Sequence, residues 1–235
     1  MSAARPRLVP PDAARCASGE TSGPASHWQQ VYLSKRTDAV SWYRPHLERS
    51  LELIRASGVD RDARILDVGG GAATLVDDLL AAGFTAVSVL DVSAEALAIA
   101  RRRLGDDAAR VHWIEGDITR IELPPASVDI WHDRAALHFL IEADRRRDYV
   151  RQLRHALAPG GHAILSTFAP DGPRRCSDLL VQCYDAQALQ ELLGDRFILR
   201  CAGVDLHRTP SGNTQPFTWC WFFDPPSRSP VAGRR

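Results

Sequence analysis

Between residues 64 and 169 two rhythms of apolar residues alternate. Short apolar runs recur: RILDV at 64–68, AVSVLD at 86–91, VHWIEGD at 111–117, VDIWHD at 128–133 and HAILSTFA at 162–169. Their length and near-continuous apolar character predict strands buried on both faces. Between them apolar residues return at helical spacing: Leu75, Val76, Leu79 and Leu80 within 73–82, then Leu97, Ile99, Ala100 and Leu104 behind a Ser93 cap. A third helix over 143–157 carries Tyr149, Val150, Leu153 and Leu157 and is expected to stop at Pro159-Gly160-Gly161. After residue 170 the rhythm changes. A helix near 185–193 precedes two extended runs, 197–208 and 215–223, joined by the turn PSGN, which read as an antiparallel hairpin. Five βα units followed by a hairpin predict an α/β fold with an open, mostly parallel sheet and an antiparallel edge.

The chain has 235 residues, 45% of them hydrophobic, which suits one domain with an ample core. Its 29 basic and 29 acidic residues cancel, which argues against a broad nucleic-acid-binding face. No apolar run approaches the ~20 residues of a membrane-spanning helix, so no membrane partner is expected. The five cysteines (Cys16, Cys176, Cys183, Cys201, Cys220) are odd in number and form no C-x-x-C pair. A disulfide scaffold and a zinc ribbon are therefore not expected, no metal site is assigned, and a reducing, cytoplasmic setting fits. Residues 1–24 lack the apolar stretch of a secretory signal and read as a disordered tail. Residues 25–224 read as one domain, with an aromatic segment and a helix over 25–58, and 225–235 as a second tail.

The chemistry begins at ILDVGGGAAT. Asp67 closes the first strand, Gly69, Gly70 and Gly71 follow, and a helix comes next. Open α/β sheets bind ligands outside their strand ends, and glycines there let a ligand approach the backbone. Two ligands compete for such a turn, a nicotinamide dinucleotide and S-adenosylmethionine. The dinucleotide fingerprint G-x-G-x-x-G is broken, because Thr74 stands at its third glycine. Asp91, 20 residues beyond Gly71, suits either ligand, since a carboxylate there can accept from both ribose hydroxyls. Asp67 discriminates: an anion before the turn opposes a pyrophosphate but suits ammonium and sulfonium charges. Val92 adjoins Asp91, and Gly116-Asp117-Ile118 follows the third strand. There Asp117 can accept from an adenine amino group, with the Ile118 backbone beside the ring.

Taken together, D-x-G-G-G at 67–71, L-D-V-S at 90–93, G-D at 116–117 and L-A-P-G-G-H at 157–162 resemble the class I, seven-stranded S-adenosylmethionine-dependent methyltransferases. The resemblance covers about residues 60–224 and implies a Rossmann-like sheet of order 3-2-1-4-5-7-6 with strand seven antiparallel. The run D-R-A-A-L at 133–137 and the aromatics of H-W-x-x-x-Y-x-x-K-x(6)-W resemble thiopurine S-methyltransferase-like enzymes. That narrower resemblance implies that Trp28 and Trp42 cover the cofactor and that Arg134 grips its carboxylate, with Asp133 beside it. An aromatic face attracts a nearby cation, and an arginine fork matches a carboxylate.

His132, Asp133 and His138 are the candidate proton-handling groups at the end of the fourth strand, because an oxygen or amine acceptor must lose a proton. A thiolate needs no base, so the catalytic assignment stays open. GPRRCS at 172–177 and the turn HRTPSGN at 207–213 are expected to rim the acceptor pocket. The expected function is in-line methyl transfer from S-adenosylmethionine to a small molecule, a thiol or other soft nucleophile. A protein-lysine N-methyltransferase and a nicotinamide-dependent oxidoreductase remain the alternatives.

Overall fold

The computed structural model describes residues 23–226. Almost all of the first tail, and residues 227–235 of the second, lie outside the described residues. Nine strands and six helices follow in order: α1 (Pro24–Ser34), α2 (Glu48–Ala56), β1 (Arg64–Val68), α3 (Leu75–Ala81), β2 (Ala86–Asp91), α4 (Ala94–Leu104), β3 (Val111–Glu115), β4 (Val128–Arg134), α5 (Ala143–Ala156), β5 (Leu157–Phe168), β6 (Arg175–Cys176), β7 (Leu179–Leu180), α6 (Ala186–Leu193), β8 (Ile198–Arg208) and β9 (Thr214–Phe223).

Seven strands form one sheet in the order β3-β2-β1-β4-β5-β9-β8, and β6 with β7 makes a separate two-stranded ribbon. With the ribbon set aside, this is the 3-2-1-4-5-7-6 order that the resemblance implies. The antiparallel strand is β9, which pairs antiparallel with both β5 and β8 and so lies one place in from the edge. A hairpin partner running back against the parallel strands had to be antiparallel; its insertion between β5 and β8 is a matter of topology that local patterning does not carry.

Strand periodicity builds the core on both sides. Leu66, Leu90, Trp131 and Leu165 pack on one face with Tyr149 and Leu153 of α5 and Leu189 of α6. Their neighbours Ile65, Val89, Ile130 and Ile164 pack on the other with Ile54 of α2, Leu75 and Leu79 of α3 and Leu97 of α4. Ser93 caps α4 as expected, its Oγ accepting from the Ala96 N–H at 3.2 Å. The expected stop at Pro159-Gly160-Gly161 is displaced. Helix α5 ends at Ala156 and β5 begins at once, because Val128 pairs with Leu157 across a register shift. Gly160 N–H donates to the Asp224 carbonyl and the Asp224 N–H to Gly161, so the loop-like motif is held within the sheet. No helix among the described residues is long and apolar enough to cross a membrane.

Candidate active site

Beyond the carboxyl ends of the parallel strands lies a cavity of about 790 Å³. Its size falls within the range of small-molecule sites, and its position is where open α/β sheets take ligands. One side is set by the strand ends. The chain leaves β1 through Gly69 and Gly71, at φ +68 and +40, which side chains rarely adopt. A Cβ on Gly69 would sit 2.6 Å from that of Ala136, and one on Gly71 would sit 2.6 Å from Asp91 Oδ2. The turn also rests on the end of β2, with the N–H groups of Gly69 and Gly70 donating to the Leu90 carbonyl. Glycine here is a steric requirement of the close approach between the turn, Asp91 and Ala136.

The three strand-end acids sit in different settings. Asp67 is buried, and its Oδ1 is hydrogen-bonded to His132 Nδ1 at 2.6 Å. His132 Nε2 in turn meets Ser50 Oγ at 2.8 Å, so both ring nitrogens are engaged and the ring orients Asp67. Asp91 accepts the Ser93 N–H at 2.8 Å through Oδ1 and lines the cavity beside Val92. Burial pushes its carboxyl up to about 7, against the Ser93 and Val92 amides and with further upward pressure from Asp67. Asp117, next to Ile118 on the cavity wall, accepts Thr119 N–H and Oγ through Oδ1 and Arg145 at 2.8 Å through Oδ2. Each carboxylate oxygen accepts more than one donor, so Asp117 still has acceptor capacity.

The opposite wall is aromatic. Trp28 of α1 packs edge-on against Trp42 and Phe139, with ring centroids at 5.6 and 4.8 Å. Phe168 of β5 and Phe217 of β9 lie 4.7 Å apart, and Cys176, Leu179 and Leu180 of the ribbon complete the lining. The 172–177 segment thus reaches the cavity as expected. The 207–213 turn is not among the lining residues; His207 instead holds the Ser41 carbonyl at 2.7 Å from outside.

Arg134 spans the two walls. Its Nη1 donates to the Trp42 carbonyl at 3.1 Å, and its guanidinium lies 4.8 Å from the Phe217 ring centroid. Burial, with Arg44 nearby, lowers it to about 10, so it remains a cation at neutral pH. Among the described residues it has no carboxylate ion pair.

Two of the expected site residues are placed beside the main cavity rather than on its wall. Asp133 was expected at the cofactor and among the proton-handling groups, but it lies outside the cavity lining. Its carboxylate accepts the Ala136 and Leu137 N–H groups and the Tyr149 hydroxyl, the last at 2.7 Å, and so fixes the turn at the end of β4. His132 is likewise held between Asp67 and Ser50 rather than presented to an acceptor. Of the three candidates only His138 lines the main cavity.

Sequence reasoning passed over Gln29, whose Oε1 accepts Ser93 Oγ and the Glu95 N–H, both at 3.1 Å, and so fastens α1 to the start of α4. It also missed Arg145, which lies 28 positions beyond its partner Asp117. No local motif marks either residue. No cluster of three or more metal-ligating side chains occurs among the described residues.

A family described as a methyltransferase domain matches residues 65–161, from β1 into β5. Relatives include the mouse eEF1A lysine and N-terminal methyltransferase, 22% identical over 63% of this chain and 21% of its own length. The UbiE C-methyltransferase of ubiquinone/menaquinone biosynthesis from Azotobacter vinelandii is 28% identical over 57% of this chain and 51% of its own. The chain thus spans about half or less of these curated relatives. Among solved structures, Burkholderia thailandensis 1,6-didemethyltoxoflavin-N1-methyltransferase superposes at TM-score 0.66. It is 21% identical, with 94% of this chain and all of that one covered, and was solved with bound 1,6-didemethyltoxoflavin and S-adenosylhomocysteine. A SAM-dependent methyltransferase from Anabaena variabilis gives 0.66 at 19% identity, covering 86% and 95%.

Proposed function

We propose that this chain, which has the fold of the class I S-adenosylmethionine-dependent methyltransferases and carries their domain signature, transfers a methyl group to a small-molecule acceptor. The observation that carries this reading is one cavity with two unlike walls, strand-end acids on one side and aromatic rings on the other. S-Adenosylmethionine supplies an electrophilic methyl carbon on a sulfonium. The charges fit it: buried acids at the glycine turn suit a cationic cofactor and oppose the pyrophosphate of a dinucleotide.

In this reading Asp91 receives the ribose hydroxyls, with the Val92 backbone beside it, while Asp117 and Ile118 flank the adenine. Asp67, aimed by His132, faces the ammonium group, and Gly69, Gly70 and Gly71 leave room for the methionine portion. Arg134, a half-buried cation without a carboxylate partner among the described residues, takes the carboxylate. Trp28 and Trp42 offer ring faces and edges to the reacting end. The apolar far wall suits a flat, weakly polar acceptor held in line with the methyl carbon, where proximity supplies much of the rate.

Thermal shift with S-adenosylmethionine, S-adenosylhomocysteine, NAD and NADP tests the cofactor. A ligand at 100 times its dissociation constant adds ~2.7 kcal/mol, roughly 5–11 °C at this size. A shift with the two sulfur ligands alone is expected, and a shift with NAD or NADP alone overturns the reading. Formation of S-adenosylhomocysteine with thiols, phenols and amines then tests the acceptor. Methyl incorporation into protein, with no turnover of small molecules, would replace the small-molecule acceptor with a lysine side chain.

A further inference from the structure

We infer that Ser50 of α2 is a positioning residue for the cofactor: through His132 it holds Asp67 at the angle that reads an amino group, and so sets the preference of the site for cofactors that carry one. It rests on the methyl-transfer reading and adds to it a residue outside the matched segment 65–161. The pattern of α2 marks Ser50 as out of place. The buried face of the helix is Ser50, Leu53 and Ile54, and it continues the buried Leu47 at helical spacing. A hydroxyl in the middle of an apolar stripe weakens packing unless a partner takes its hydrogen bond.

That partner is His132. Asp67 and His132 are paired neighbours on the parallel strands β1 and β4. They follow Ile65 and Ile130 by two residues, so both side chains face the α2 side of the sheet. His132 Nδ1 stands 2.6 Å from Asp67 Oδ1 and Nε2 stands 2.8 Å from Ser50 Oγ, with all three residues buried. The proton positions follow. A carboxylate only accepts, so Nδ1 carries the ring proton, and the bare Nε2 of the neutral ring accepts from the Ser50 hydroxyl. No other side-chain hydrogen bond engages that hydroxyl among the described residues.

Asp67 Oδ1 is thereby taken. Oδ2 lies against Gly70, where an added Cβ would sit 2.4 Å from it, and it accepts no hydrogen bond among the described residues. Asp67 lines a second, smaller pocket of about 40 Å³ with Gly70, His132, Arg44 and Arg134. Room for a few water-sized groups, one open carboxylate oxygen and two guanidinium groups suit the two charges of an amino-acid end. Ser, His and Asp are also the members of a hydrolytic triad, but Ser50 lines neither cavity and has no room for an acyl group. The chain of hydrogen bonds ends in an acceptor oxygen, and its work is to fix direction. Without the hydroxyl, Nε2 is buried and unpaired, so the ring tilts or takes a second proton. Either change turns Asp67 away from an incoming ammonium and leaves Asp91 and Asp117 as they were.

The test isolates the amino group. Calorimetry compares S-adenosylhomocysteine with its analogue that has hydrogen in place of the amino group, on wild type, Ser50→Ala and Ser50→Thr. Wild type should bind the parent compound roughly ten- to hundredfold more tightly than the analogue. Ser50→Ala should lower that ratio about threefold or more, by weakening the parent while the analogue stays within about twofold. Ser50→Thr keeps the hydroxyl and should restore the ratio. A merely structural role would lower both affinities together and leave the ratio where it was. Nitrogen-15 spectra of the wild-type histidine rings, with His132→Gln for assignment, give a second readout that needs no variant at Ser50. His132 should be neutral with its proton on Nδ1, the minor tautomer of a free imidazole. No preference for the parent compound in wild type would remove Asp67 from the amino group, and the inference would fall with that part of the reading. A preference that survives unchanged in folded Ser50→Ala, or a His132 proton on Nε2, overturns the inference while the methyl-transfer reading stands.

Discussion

On one side of the cavity Asp91 and Asp117 sit at two consecutive strand ends, while Asp67, at the end of β1, faces a small adjoining pocket with Gly70, His132 and Arg134. On the other, the rings come from α1, the loop before α2, the turn after β4, the end of β5 and the middle of β9. The acids have internal partners: Asp67 meets His132, Asp91 the Ser93 amide, and Asp117 meets Thr119 and Arg145. The far wall carries two imidazoles, His27 and His138, each with a buried ring nitrogen that has no hydrogen-bond partner among the described residues. A cofactor common to many enzymes can be met by groups fixed in advance by secondary structure. An acceptor that differs between enzymes is met by segments that tertiary packing assembles, so the first wall should resist substitution through geometry and the second through contact.

The largest expected effect breaks the first wall. Gly69→Val must enter a left-handed conformation that costs about 1–2 kcal/mol, and its side chain must displace Ala136. Cofactor affinity should fall more than ~100-fold, as an intruding side chain blocks close approach to the turn. Calorimetry reads this, and near-normal affinity in a folded variant would remove the glycine turn from the cofactor site.

Asp91→Asn should act in two opposed directions. Losing a charged acceptor weakens cofactor binding about 10- to 100-fold. The free protein, however, should gain stability. With the folded carboxyl raised from 3.8 to about 7, the native state holds a proton that the unfolded chain has released between those values. Stability therefore declines as pH rises through that window, and the penalty is complete above about pH 7. Removing it should stabilise the apo protein at pH 8 by on the order of 1–3 kcal/mol, with little gain near pH 4. In wild type, cofactor affinity should weaken as pH falls below about 7, where Asp91 gains its proton. Denaturant unfolding at the two pH values, with and without S-adenosylhomocysteine, separates the two effects.

Asp133→Asn sharpens the boundary between site and scaffold. Its carboxylate serves two backbone amides and a buried tyrosine hydroxyl, so the substitution should cost about 1–3 kcal/mol of stability. Cofactor affinity in the surviving folded protein should change by less than roughly threefold. Lost affinity at unchanged melting temperature would return Asp133 to the cofactor site.

How much of this was legible in advance follows the same division. The placement of Asp67, Asp91 and Asp117 at consecutive strand ends was readable because a strand end, a turn and the next helix are contiguous, so residue type and local position suffice. The seven-stranded order followed from the motifs taken together. His132 and Asp133 lie outside the main cavity lining because their side chains are taken up by neighbours, His132 by Asp67 and Ser50, and Asp133 by the Ala136 and Leu137 amides and Tyr149. Arg134, one residue on, does reach it. The ribbon at 175–180 was legible only as a rim, since two-residue strands leave no periodic signal. Nothing around Phe168 or Phe217 announces that their rings meet, because 49 residues and an antiparallel insertion separate them.

Gln29 gives the smallest effect and the finest test of how the two walls are joined. Helix α1 carries Trp28 on the aromatic wall, yet Gln29, the next residue, accepts from Ser93 and Glu95 at the start of α4, just past Asp91. Helix α1 is therefore tied to the acid wall through one side-chain oxygen. Gln29→Ala removes both hydrogen bonds from a partly exposed residue, so a loss of about 1–2 kcal/mol is expected, or roughly 2–8 °C in melting temperature. Trp28 would then be held less firmly over the reacting end. Acceptor KM should rise about two- to tenfold while cofactor affinity falls less, and cleavage within α1 by a protease should quicken. Gln29→Glu keeps the acceptor oxygen and sets an anion at a helix N-terminus, where the dipole favours it. It should retain the acceptor KM. If both variants lose cofactor and acceptor equally, α1 belongs to both walls and the division between them fails there.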